Sequence, residues 1–217
     1  MEDTQFNKKK DVLIIGAGSL GREILSWIES NKSNSGINVK GFLDDEKINL
    51  LDFTIEIPVL GKVDFINMKN TSSFIIGIVN TYDKEKLFNM VRNKGLSAVP
   101  YLHESVLLGS RIKFGEGLVM LPNSLLSCDV TVGNYVFINN GSQIGHDVEI
   151  GDFTSIMAGV DIGGGVQLGR NVFVGSKAVI LPGVKVPDNS RIGAGSVVIR
   201  SIKQPGTYFG NPAKRIF

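Results

Sequence analysis

The chain has 217 residues, 42% of them apolar, a formal net charge of +2 and one cysteine. That suffices for one large or two small cores, and so small a charge argues against nucleic acid or an anionic membrane as partner. With no apolar run near the ~20 residues of a membrane span, no signal-like start at Met1 and no second cysteine for a disulfide, the expectation is a cytoplasmic protein without membrane insertion.

In chain order, the basic run Lys8 to Lys10 belongs to a polar flank. Asp11 to Ile15 is a short apolar run that ends in Gly16-Ala17-Gly18-Ser-Leu-Gly21. Arg22 to Asn31 has helical spacing, with Ile24, Leu25, Trp27 and Ile28 on its apolar face. A strand at Ile37 to Leu43 stops at Asp44-Asp45-Glu46. Another is expected at Ser73 to Val79, and a helix at Asp83 to Lys94 with Leu87, Phe88 and Val91 inward. Strands alternating with helices predict a small parallel α/β sheet, Rossmann-like, over residues 1–100. Gly95 ends the last helix, and residues 98–103 lead onward.

The second unit, residues 101–217, obeys another rule. From Leu108 through Ile144 and Ile162 to Val198 every sixth residue is apolar, and small or β-branched residues such as Val130, Val148 and Val166 follow four places later. A period of six fits neither helix nor simple strand; it predicts a parallel β-helix of hexapeptides. Three hexads make one coil, so residues eighteen apart stack. Glycines such as Gly145 and Gly163, just after the apolar residue, suit sharp corners. From Ser201 the period is lost, which predicts an irregular cap.

Two places carry chemistry. The Gly16-x-Gly18-x-x-Gly21 turn between strand and helix offers backbone N–H groups to a phosphate, and Asp44-Asp45 end the next strand, where a ribose or base is gripped. The unit is too short for a full dinucleotide fold, so a mononucleotide-type ligand is favoured; a tight turn without ligand is the competing reading. In the hexad run that starts at Leu108, His146 is the only imidazole and Asp147 adjoins it. An outward histidine can act as general base, with the carboxylate orienting the ring; an ordinary surface histidine is the alternative. Stacking places Gly164, inside Gly163-Gly-Gly165, above His146 and Cys128 below it. Gly164 can offer an N–H to an oxyanion, whereas Cys128 reads as a spacer. Asn139 and Asn140 either meet a substrate or satisfy their turn. Lys214 and Arg215 in the tail either meet a phosphorylated cofactor or serve solubility. No residue cluster has metal-ligand spacing.

Taken in order, GAGSLGRE, FLDDE, YLHESV, IGHDVEIGDF, VGSKAVILPGV and PGTYFGNPAKRI make the chain resemble the bacterial sugar O/N-acyltransferases. That group includes sialic acid O-acetyltransferases and acetyltransferases of nucleotide-linked 4-amino-4,6-dideoxysugars. The resemblance implies a left-handed β-helix, a homotrimer with its site between subunits, acetyl-CoA as co-substrate and no metal. It implies His146 as base, supported by Asp147, and Gly164 as the thioester-carbonyl donor. Ser176 and Ala194 would line the acetyl-CoA groove, to which the cofactor reading of Lys214 given above would add a cation. Ser155 stands where some members have a second cofactor-contacting histidine. Gly16, Ala17, Gly18, Asp44, Asp45 and Gly77 would hold the nucleotide-linked amino sugar, and the substrate reading of Asn139 given above would place it with them. Sugar O-acetylation, transfer of a longer acyl chain and a non-catalytic solenoid are the alternatives.

Overall fold

The computed structural model describes residues 10–30, 36–46, 48–65, 73–92 and 94–216. Lys8 and Lys9 of the basic run, the expected helix end at Asn31 and the terminal Phe217 lie outside them.

The first unit is a five-stranded parallel sheet. Its strands are β1 (Lys10–Ile15), β2 (Ile37–Leu43), β3 (Val59–Gly61), β4 (Ser73–Ile76) and β5 (Ser97–Ala98), in the order β3-β2-β1-β4-β5. Strand order reverses between β1 and β4, so a crevice opens beyond their carboxyl ends, where α/β sheets take ligands. Helix α1 (Ser19–Ser30) buries Leu20, Gly21, Ile24, Leu25 and Ile28. It starts three residues earlier than its apolar spacing suggests, because Gly21 already belongs to it: a Cβ there would stand on the Gly16 carbonyl. Helix α2 (Thr81–Val91) is capped by Asn80, whose side chain accepts from the N–H groups of Tyr82 and Asp83. The short strands β3 and β5 carry no periodicity to read.

The solenoid begins at Tyr101–Leu102, one hexad before the unbroken run, and builds three parallel sheets. The first contains Val119–Met120, Phe137–Ile138 and Ser155–Ile156; the second contains Leu125–Leu126, Gln143–Ile144 and Asp161–Ile162; the third contains Thr131–Val132, Glu149–Ile150 and Gln167–Leu168. Partners across each sheet are eighteen residues apart. Inward residues such as Ile138, Ile144, Ile156 and Ile162 are fully or almost fully buried, with Val148, Val160 and Val166 filling between them. The tail is more regular than expected: Thr207–Phe209 extends the first sheet beside Arg191–Ile192 and then pairs antiparallel with Lys214–Arg215.

The corner glycines need a different explanation from the one the sequence suggested. Positive φ falls three places after the apolar residue, at Asp147 (φ 58°) as readily as at Gly165 (φ 68°). The glycines one place after it are there for close approach: a Cβ on Gly145 would lie 2.7 Å from the Gly164 nitrogen of the next coil.

The α/β unit leans on the first sheet and on the edge between the third and first sheets. Val119, Leu121 and Phe137 join Ile24, Leu25 and Ile28 in one core, while Tyr135 and Phe153 join Leu87 and Val91 in another. Outward positions therefore differ by sheet. Val119 and Phe137 on the first are buried, whereas Thr131 and Glu149 on the third are exposed.

Candidate active site

His146 stands on the edge between the second and third sheets, opposite the first sheet. Its side chain is 65% exposed, and Nδ1 lies 2.8 Å from Asp147 Oδ2. An ionised carboxylate only accepts, so Nδ1 is the donor and the neutral ring presents its lone pair at Nε2. Asp147 itself takes the left-handed backbone conformation of the corner. Gly164 stacks directly above: a Cβ there would lie 2.6 Å from both Cε1 and Nε2 of His146, so the ring occupies the space that glycine leaves. The Gly164 N–H meets no acceptor among the described residues, although its neighbours Gly163 and Gly165 donate to Ile180 and His146.

One coil below, Arg111 clamps Asp129 with two hydrogen bonds, the NH2 one 2.7 Å long. That guanidinium, first, and Cys128 beside it hold the Asp129 carboxyl down at about 2. Arg111, Asp129 and Asp147 are eighteen residues apart, a spacing that could have revealed the column in the sequence. Cys128 is half-buried and free. The other histidine, His103, packs edge-on against Trp27 with ring centroids 5.3 Å apart and accepts from the Ser105 N–H at Nδ1.

In the α/β unit a cavity of about 310 Å³ opens beyond β1, β2 and β4, lined in part by Gly16, Gly18, Asp44, Asp45, Asp83 and Lys86. Four of the expected residues thus come together, and α2 adds Asp83 and Lys86, which sequence reasoning passed over. Gly18 has open space where a Cβ would stand. Asp44 accepts from the Ala17 N–H at 2.7 Å and from the Glu46 N–H at 2.9 Å, and Asp45 accepts from the Val63 N–H at 3.1 Å. A loop amide expected to meet a phosphate is therefore already held by a carboxylate. With Glu46 and Asp83 also at the wall, the cavity suits hydroxyl and base N–H donors better than a diphosphate.

Several expected contacts are reassigned. Ala17 is fully buried with its N–H taken. Gly77 lies behind the cavity, where a Cβ would meet Gly21 Cα at 2.8 Å; both shape the turn rather than line the cavity. Ser155 is 0% exposed. Its hydroxyl donates to the Val79 carbonyl at 2.6 Å and accepts from Lys84 Nζ at 2.7 Å, so it joins the two units and has no face for a cofactor. Lys84 also donates to the Thr154 carbonyl at 2.9 Å, and burial holds its ammonium well below the ordinary lysine range. Asn139 accepts from its neighbour Asn140 N–H at 2.7 Å, a turn role, on the edge between the first and second sheets. Ser176 and Ala194 stack on that same edge, away from His146, with N–H groups unpaired among the described residues. Lys214 is exposed on the closing hairpin. Among the described residues no group of three or more His, Cys, Asp or Glu side chains could hold a metal ion, and no helix is long and apolar enough to cross a membrane.

Residues 11–91 match the PglD N-terminal domain, and residues 147–181 and 165–200 match the bacterial transferase hexapeptide of six repeats. The chain joins a PglD-type N-terminal domain to a hexapeptide-transferase solenoid. No curated protein sequence matches it significantly. Among solved structures, PerB from Caulobacter crescentus, in complex with CoA and GDP-perosamine, is 24% identical over 94% of this chain and 96% of its own, with a TM-score of 0.74. The acetyltransferase domain of PglB from Neisseria gonorrhoeae is 20% identical over 95% of this chain and 100% of its own, at 0.84. WeeI from Acinetobacter baumannii is 21% identical over 95% and 100%, at 0.75. These likenesses bear out the fold expected from the sequence, a small α/β unit followed by a left-handed parallel β-helix.

Proposed function

We propose that the chain is an acetyl-CoA-dependent N-acetyltransferase that acts on the C4 amine of a nucleotide-linked 4-amino-4,6-dideoxysugar, for a surface polysaccharide or glycan. The observation that carries this reading is the imidazole of His146, oriented by Asp147 and capped by a glycine whose N–H is unpaired among the described residues. PerB, solved with CoA and GDP-perosamine, and a Caulobacter perosamine N-acetyltransferase support the substrate class.

In this reading the sugar amine attacks the thioester carbonyl and gives up a proton to His146 Nε2. Asp147 steadies the imidazolium that forms. The carbonyl oxygen, now negative, accepts from the Gly164 N–H. Collapse then breaks the C–S bond, the N–C bond having already formed, and the departing CoA thiolate takes the proton from the His146 imidazolium. Holding both substrates in place supplies much of the rate. Unpaired N–H groups at Ser176 and Ala194 suit the amide carbonyls of a pantetheine arm, and Lys214 a phosphate. In the cradle, Asp44 and Asp45 face the ribose and base.

The cradle leans on the first sheet, and His146 lies on the opposite edge of the prism. A sugar held by one chain's cradle therefore meets the histidine of another, which favours a homotrimer with the site between subunits; acetyl-CoA as co-substrate suits work in the cytoplasm. The test is thiol release by purified protein with acetyl-CoA and a panel of amino-sugar and hydroxy-sugar nucleotides. Release with a 4-amino sugar alone is expected. Release only with hydroxy sugars, or with none, overturns the reading.

A further inference from the structure

The three edges of the solenoid treat their exposed backbone differently. On the edge between the third and first sheets, side chains of one coil reach down to the N–H of the coil below. Asn134 Oδ1 accepts from the Glu116 N–H at 3.0 Å, Asp152 Oδ1 from the Asn134 N–H at 2.7 Å, and Asp188 Oδ1 from the Arg170 N–H at 2.9 Å. Each pair is eighteen residues apart. Each acceptor passes over a glycine of the lower coil, Gly115, Gly133 or Gly169, whose Cβ would collide with the acceptor oxygen. At these three positions the rule is a glycine one place after the apolar residue, with Asn or Asp nineteen residues later; at Gly151 the residue nineteen later is Arg170, and the Asp152 N–H has no acceptor among the described residues.

The edge carrying His146 has the glycine without the acceptor. Gly163 follows Ile162, and the residue nineteen places on is Pro182, whose ring takes the space: a Gly163 Cβ would lie 2.7 Å from Pro182 Cδ. The N–H groups of Cys128, His146 and Gly164 are all unpaired among the described residues. Proline fills the ladder position with bulk that can accept nothing from the N–H beneath it. An Asn or Asp there would be placed as Asn134 and Asp188 are, within reach of the Gly164 N–H.

We propose that Pro182 is a positioning residue that keeps the Gly164 N–H unpaired for the acyl oxygen by denying this edge the Asx ladder used on the neighbouring one. The inference rests on the acetyl-transfer reading, but its structural half can be tested alone. Pro182→Asn and Pro182→Leu are nearly isosteric, both lose the proline ring, and only the first brings an acceptor.

The experiment measures amide hydrogen exchange at Gly164, and kcat and KM, in both variants. Exchange is expected to be slower in Pro182→Asn than in Pro182→Leu. The Asn variant's kcat is expected to fall to about one tenth to one hundredth of the Leu variant's, since loss of one oxyanion donor costs roughly 10²–10³ in rate and a competing acceptor removes it only in part. KM for acetyl-CoA should agree between the two within about threefold, because ground-state binding is not what the N–H serves. Equal exchange in the two variants overturns the ladder, whatever the activity. Slowed exchange with equal kcat overturns the assignment of the N–H to the acyl oxygen. Absence of thiol release in the wild type would sink the functional reading alone, leaving the exchange comparison to decide the ladder.

Discussion

The docking side of the prism and its reactive edge are made from the same hexapeptide and differ in how completely they satisfy themselves. On the docking side, Lys84 reaches Thr154 and Ser155, Arg170 and Asn171 meet Glu85 at 2.6 and 2.7 Å, and Tyr135 and Phe153 lie against Phe88. Asn134, Asp152 and Asp188 side chains seal three backbone N–H groups there, and the Asp152 N–H beneath Arg170 is left without an acceptor among the described residues. On the reactive edge the stacked residues are Cys128, His146, Gly164 and Pro182, and the backbone is left open. A solenoid can thus write a site by omission: where side chains decline to pair the edge amides, those amides become available to a ligand.

Substitutions can break this contrast from either side. The largest effect is expected from His146→Ala, with kcat down about 10²–10⁴-fold, the usual weight of a general base, and acetyl-CoA affinity by calorimetry nearly unchanged. Near-wild-type turnover would remove His146 from the chemistry. Gly164→Ala puts a methyl 2.6 Å from the imidazole, so the ring must leave its place. A fall in kcat of about 10²-fold is expected with a Tm close to that of wild type, since the ring is exposed and free to swing away.

On the docking side the effects should appear in stability instead. Asp152→Ala frees the Asn134 N–H and side chain, which should cost about 1–2 kcal/mol in chemical unfolding and leave kcat alone. A matching loss of activity would mean the two edges are not independent.

The smallest effect concerns Lys84. Because burial depresses its pKa in the folded chain, the unfolded chain binds the proton more readily, and stability from this group rises with pH between the folded value and the ordinary lysine range. In Lys84→Met that alkaline rise should flatten, read as Tm against pH. An unchanged pH profile would show that Lys84 does not titrate differently on folding.

The periodic half is open to reading because stacking makes sequence spacing a spatial coordinate: a separation of eighteen residues is enough to put Gly164 over His146. The same rule sets Asp129 over Arg111 and Pro182 over Gly164, but these pairs become meaningful only when hydrogen bonds on the neighbouring edge reveal what such positions ordinarily do. Ser155 escapes the spacing rule for a related reason. Its outward position on the first sheet is covered by Lys84 of α2, and the apolar outward residues Val119 and Phe137, which pack with α1, are the sign that this sheet is covered. In the α/β unit, Asp44 and Gly16 are visible as a motif, but Asp83 and Lys86 reach the cavity from a helix whose placement no local pattern dictates. That Asp44 holds the Ala17 N–H lies beyond sequence reasoning, since a motif specifies amides and not their partners.

The central claim is that this edge moves an acetyl group to a sugar nitrogen through His146. Mass spectrometry of a 4-amino-sugar nucleotide incubated with acetyl-CoA and the purified protein tests it most directly. One acetyl group, stable to mild base as an amide is, should appear with the wild type and fall away with His146→Ala. A base-labile ester, no acetylation, or equal acetylation by both proteins would contradict the account.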